Sequence, residues 1–128
     1  MRRLLVAAAL TLTSCQSTRM LELAPTAIVT EKSEMEIASA IAGALAYYNW
    51  RIDKHENNII QATRYGGWSV TIEIVYSQTE FQIRYKDSTD FNYNADSKTI
   101  DTHYNGWIQE LNREIKIRIY NTMVAPGL

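Results

Sequence analysis

The sequence predicts an α+β domain: an antiparallel four-stranded meander, with room for a short extra N-terminal strand, covered on one face by two helices. Two stretches, near residues 34–48 and 102–119, repeat apolar residues at helical spacing. Between them apolar residues alternate with polar ones, and the alternation is broken by turn signals. A helix with one apolar stripe and a sheet with one apolar face each need a partner, and packing one on the other satisfies both.

Ala27-Ile28-Val29-Thr30 is a β-prone run that fits an edge strand. Ser33-Glu34-Met35-Glu36 reads as a capping box: the serine accepts from the amide three residues on, and Glu36 reaches back. The helix that follows carries Ile37, Ala38, Ile41, Ala42, Leu45 and Tyr48 on one stripe, and its two alanines permit close approach to a sheet. From Trp50 the period becomes two. Trp50, Ile52 and Lys54 alternate with Arg51, Asp53 and His55, which places His55 on the polar side of the strand end. Asn57-Asn58 suits a two-residue hairpin because asparagine tolerates positive φ.

Ile60 and Ala62 continue on the next strand, and Gly66-Gly67 supplies a second tight turn. Val70, Ile72, Ile74 and Tyr76 then alternate cleanly with Thr71, Glu73, Val75 and Ser77. After Gln78-Thr79, Phe81, Ile83 and Tyr85 oppose Gln82, Arg84 and Lys86. Residues 87–101, rich in Asp, Asn and Ser, read as an ordered loop with a short extended piece at Phe91 and Tyr93. A closing helix from Asp101 or Thr102 carries Tyr104, Trp107, Ile108, Leu111, Ile115 and Ile119 on its stripe.

At the other end, Leu12-Thr13-Ser14-Cys15 resembles a bacterial lipobox. Arg2 and Arg3 precede an apolar run over residues 4–10 that is far too short to span a bilayer. The resemblance implies a signal peptide over residues 1–14, cleavage before Cys15, and acylation of its thiol and new amino terminus. Residues 15–26 then read as a lipidated tether reaching roughly 35 Å when extended, and residues 27–128 as a single domain. Long acyl chains contribute about 0.8 kcal/mol per buried methylene, so two or more make release negligible. Gln16 stands where some bacteria place an inner-membrane retention aspartate, and the resemblance therefore favours the outer membrane.

The chain has 13 Lys+Arg and 14 Asp+Glu. Loss of Arg2 and Arg3 leaves 11 against 14, a net charge of −3 without a basic patch, which argues against nucleic acid as a partner. Cys15 is the single cysteine, so its acylation would leave no thiol for a disulfide, a redox centre or a metal.

Tyr85-Lys86-Asp87-Ser88, Tyr93, Ile100 and Tyr104-Asn105-x-Trp107-Ile108, taken with Trp50 and Ile60-Gln61-Ala62, resemble a pattern found in small uncharacterised bacterial lipoproteins. The similarity spans roughly residues 40–111. It implies fold and location, and it carries over no catalytic residue.

Asp90, Asn92, Asn94 and Asp96 open with the cadence of an EF-hand loop, but Ala95 replaces its glycine and Asp101 its final glutamate. Asx turns explain the spacing without a metal. His55 and His103 lack the paired arrangement of a metal site, and no nucleophile elbow or phosphate loop is present, so no metal, cofactor or catalytic residue is expected. The candidate binding residues are Trp50, Tyr104, Asn105 and Trp107, since Trp and Tyr are typical interface anchors; the simpler role of Tyr104 and Trp107, on the stripe with Leu111, is sealing the core, with Asn105 satisfying backbone groups beside the helix start. Arg51, Asp53, Gln61, Thr63, Thr71, Glu73, Gln82 and Arg84 should share the polar sheet face. The expected function is a lipid-anchored envelope protein that acts as a non-catalytic protein-binding or structural module. The alternative is a small-ligand or sensing module with a pocket between helices and sheet near Trp50, Tyr104 and Trp107.

Overall fold

The computed structural model describes residues 16–121. Its elements are β1 (Ser17–Arg19), β2 (Thr26–Ala27), α1 (Glu34–Tyr47), β3 (Arg51–Glu56), β4 (Ile59–Tyr65), β5 (Ser69–Tyr76), β6 (Glu80–Thr89), β7 (Thr99–Asp101) and α2 (His103–Asn121). The architecture is the expected α+β one. Strands β3 to β6 form an antiparallel meander, and β2 joins its outer side to give the order β2-β6-β5-β4-β3. β1 and β7 make a separate two-stranded sheet.

The turns explain the meander. Asn57 and Asn58 sit at φ 54° and 59°, the primed conformation that matches the twist of paired strands. Gly67, at φ 79°, turns β4 into β5. The ladder aligns Ile60, Ile74 and Ile83 in one buried row and Ala62 with Ile72 in the next, while Gln61, Glu73 and Arg84 line up on the opposite face. Thr63 is buried on that polar side, where its hydroxyl donates to Asp53 and lies 2.8 Å from the Thr71 hydroxyl.

Ser33 caps α1 through the full capping box, with its Oγ accepting from the Glu36 amide at 3.1 Å and Glu36 accepting from the Ser33 amide at 2.9 Å. The helix buries Ile37, Ala40, Ile41, Ala44 and Leu45. Its closely packed alanines are therefore Ala40 and Ala44, not Ala38 and Ala42: at about 100° per residue Ala40 and Ala44 flank Ile37 and Ile41 on the buried side, whereas Ala38 and Ala42 lie on the other flank, half-buried. The Arg118 guanidinium of α2 packs over Gly43, where a Cβ would stand 2.7 Å from its Nη1. α2 buries Tyr104, Ile108, Leu111, Ile115 and Ile119 as its stripe requires.

Four further expectations are corrected. The β3–β4 register shifts between Ile52 and Lys54, so His55 falls in the row of Ile60 and Ile74 on the helix side, with Nε2 2.6 Å from the Tyr76 hydroxyl. A bulge inserts one residue and flips the faces beyond it, which strict alternation misses. β6 runs on through Thr89 because a second irregularity lets Lys86 stand between the pairs Ile72–Tyr85 and Thr71–Asp87, so residues 87–89 are strand, not loop. The edge strand lies at Thr26–Ala27, slightly before the run at 27–30, and Ile28 donates to Thr79 O at 2.9 Å.

The fourth correction concerns the stretch read as a tether. From Gln16 onward it lies on the domain. β1 pairs with β7, Thr102 donates to Gln16 O at 3.1 Å, and Met20 donates to Lys98 O at 2.8 Å while burying its side chain. Three residues of strand pairing and one buried side chain carry no readable period, so only the fold reveals them. Cys15 and the leader lie outside the described residues.

Candidate functional site

Trp50 and Trp107 meet, although 57 positions separate them in the chain. Trp50 follows α1 and precedes β3; Trp107 sits one turn into α2. Their rings are edge to face, 6.4 Å between centroids at 89°. Trp68, from the β4–β5 turn, lies 5.3 Å from Trp107, and Phe91 stacks on Trp107 at 5.3 Å and 22°. Arg64 places its guanidinium carbon 4.2 Å over Trp107. Because Arg51 pairs with Thr63, Arg64 stands one step beyond that pair, beside Trp50. The sequence singled out two members of this cluster. Trp68, Phe91 and Arg64 join only through the register and the loop, which no local pattern encodes.

Two polar atoms in the cluster are buried without a hydrogen-bond partner, Trp50 Nε1 and Arg64 Nη1. A buried donor left unpaired costs about 1–3 kcal/mol. For Arg64 the π-face of Trp107 offsets part of that cost.

Tyr104 has a different role from its neighbours. It is fully buried, packs edge to face on Tyr85 at 6.1 Å, and belongs to the core. Burial, with smaller contributions from Tyr85 and Glu22, pushes its phenol well above the ordinary tyrosine range. Asn105 is a clamp: its Oδ1 accepts from the Leu21 amide at 2.8 Å and its Nδ2 donates to Arg19 O at 2.9 Å. One side chain thus imitates a strand partner and holds the N-terminal strap against α2.

His103 opens α2, and Asp101 caps it. The Asp101 carboxylate accepts from the His103 amide at 2.9 Å and lies 2.7 Å from His103 Nδ1. Partial burial works to raise the Asp101 pKa. The hydrogen bonds and charge of His103, with the Asn92 amide, outweigh it and hold the carboxyl below its usual range. In the Asx-rich loop, Asp90 and Asn92 adopt positive φ, and Asn94 Oδ1 accepts from the Ser97 amide at 3.1 Å. Among the described residues no group of three His, Cys, Asp or Glu side chains is arranged to hold a metal ion.

A second feature lies along β6. Residues 20–24 of the strap stand off its outer edge and enclose a groove of about 550 Å³ lined also by Gln82, Ile83, Arg84, Tyr85 and Tyr93. Glu80 O accepts from Ser77 and Thr79 O accepts from Ile28, so even-numbered residues here bond inward to β5 and odd-numbered ones outward. Phe81 uses its outward side on β2, while Ile83 and Tyr85 turn theirs to the groove. Gln82 Nε2 spans to Leu23 O at 3.1 Å. Residues 16–26 show no period, so the sequence holds no signal for this groove. Comparison with protein-family models, curated proteins and solved structures finds no match to the chain.

Proposed function

We propose that this protein is a lipid-anchored component of the bacterial envelope, at the outer membrane, that binds another envelope protein and performs no chemistry. The lipobox resemblance at residues 12–15 supports the anchor. The observation that carries the binding reading is the open outer edge of β6. β2 already adds to this edge at Phe81, and beyond it Ile83 and Tyr85 offer backbone donors and acceptors to an extended segment of a partner. The lining side chains, Met20, Leu23 and Tyr93 among them, would set its specificity. Photo-crosslinking in cells tests this. Probes at Arg84 and Tyr93 should capture one reproducible protein at least about tenfold better than a probe at Lys116 on the exposed side of α2. Equal capture at all three, or none, would sink the reading.

A small-ligand reading draws on Trp50 Nε1 and Arg64 Nη1, two buried donors in the aromatic cluster without a hydrogen-bond partner. Thermal shift against envelope metabolites separates the two, since a pocket binder gains stability by mass action.

A further inference from the structure

We infer that the domain sits flush on the bilayer, with the aromatic cluster around Trp68 and Trp107 lodged in the lipid headgroup region. The inference rests on the proposed acylation of Cys15. Peptide geometry places the Cys15 Cα about 3.8 Å from that of Gln16. Gln16 O is itself bound by the Thr102 amide at 3.1 Å, and β1 continues onto β7. An acyl anchor at Cys15 therefore leaves no slack: the bilayer meets the domain where β7 passes into α2.

That end of the domain carries the aromatic rings. His103 follows Thr102 directly, and its imidazole lies 6.2 Å from Trp107. Asp101, next to Thr102, donates to Phe91 O at 3.1 Å, and the Phe91 ring lies 5.1 Å from Trp68. Trp68 and Trp107 are half-buried, and Tyr65, beside the same turn, is 55% exposed under the Arg51 guanidinium. Tryptophan, tyrosine and arginine are the residues that settle at a membrane interface, with rings at headgroup depth and charges in water. Asp90, Asp96, Asp101 and Glu22, the last 4.0 Å from Lys98, stand against Arg51, Arg64 and Lys98, so the charges nearly balance. The attraction is therefore to the interface itself, and a zwitterionic bilayer suffices.

All three tryptophans of the chain, Trp50, Trp68 and Trp107, belong to the cluster, so intrinsic fluorescence reports this face alone. The experiment places the full acylated protein in phosphatidylcholine vesicles whose acyl chains are brominated near the headgroup. Emission should fall roughly twofold relative to unbrominated vesicles. A variant with Trp68→Phe, Trp107→Phe and Met35→Trp moves a reporter to the far end of α1, where bromine should leave its added emission unchanged. Flotation with the vesicles, full emission from the native protein and an acyl mass on Cys15 would together overturn the orientation while keeping the anchor. An unmodified Cys15 in the mature protein would overturn the anchor and this inference with it.

Discussion

Replacing Asn105 with alanine should release the N-terminal strap without unfolding the domain. The side chain makes two hydrogen bonds to strap backbone, from the Leu21 amide at 2.8 Å and to Arg19 O at 2.9 Å. Each is worth about 0.5–1.5 kcal/mol net, and because water can replace them at this partly exposed site, the lower half of their sum, about 1–2 kcal/mol, is expected. That corresponds to a factor of roughly 5–30 in the opening equilibrium of the strap. Alanine also favours the first turn of α2 by about 0.5 kcal/mol, so the net loss of about 0.5–1.5 kcal/mol should lower the melting temperature by only a few degrees. Hydrogen exchange resolves the two effects. Amides of residues 18–21 should exchange about 5–30 times faster, and those of β5, which open only with the whole domain, by the smaller factor of about 2–13 set by the net loss. Asn105→Asp keeps the acceptor for Leu21 and should give an intermediate effect. Unchanged exchange in the strap, or equal acceleration in β5, would refute the clamp.

Asp101→Asn should lower stability at pH 7, where the folded-state carboxylate is held below its usual pKa. The native advantage is present above about pH 4 and disappears as pH falls through the depressed folded value, so the two proteins should converge in acid when followed by urea unfolding. Tyr104 has the opposite sign: its raised folded pKa keeps stability intact below about pH 10 and removes it above, so the native protein should weaken more steeply in alkali than Tyr104→Phe. Gly66→Ala would bring a Cβ to 2.7 Å from Trp68 Cζ2, displacing the ring at a cost of about 1–3 kcal/mol and altering tryptophan emission. Gly67→Ala meets no atom within 4 Å but sits at φ 79°, so it should cost about 1 kcal/mol and leave the emission alone.

The meander was legible because each of its signals is local. Alternation from Val70 to Tyr76 names the buried face, Asn57-Asn58 and Gly66-Gly67 name the turns, and Ser33 with Glu36 names a helix start. Alternation misplaces His55 because a bulge is a property of two strands, and Asp53, the residue skipped in the β3–β4 register, accepts from the hydroxyl of Thr63, ten residues away. Asn105 shows how far local reasoning reaches toward a site. Its helix-start position showed that it could satisfy backbone groups, but the groups lie 84 and 86 residues back, in a strap without periodicity. The Trp50–Trp107 contact fails to announce itself for the same reason, whereas Tyr104 declared its core role through the stripe it shares with Ile108 and Leu111.

For the lipid-anchored protein proposed above, the strap decides between two arrangements. A free tether of the length expected for residues 15–26 would let the domain search roughly 35 Å from its anchor. Bound along β7, Lys98 and Asn105, the described part of that stretch instead lies on the domain, and its residues 20–24 wall the groove beside β6. Anchor and groove then become coupled: loosening Asn105 lengthens the reach and removes a wall of the groove in the same motion. An Asn105→Ala protein should accordingly lose crosslinking at Arg84 even though Arg84 itself is untouched. Persistence of the Arg84 crosslink after the strap has been shown to open would mean that the partner reads β6 without the strap.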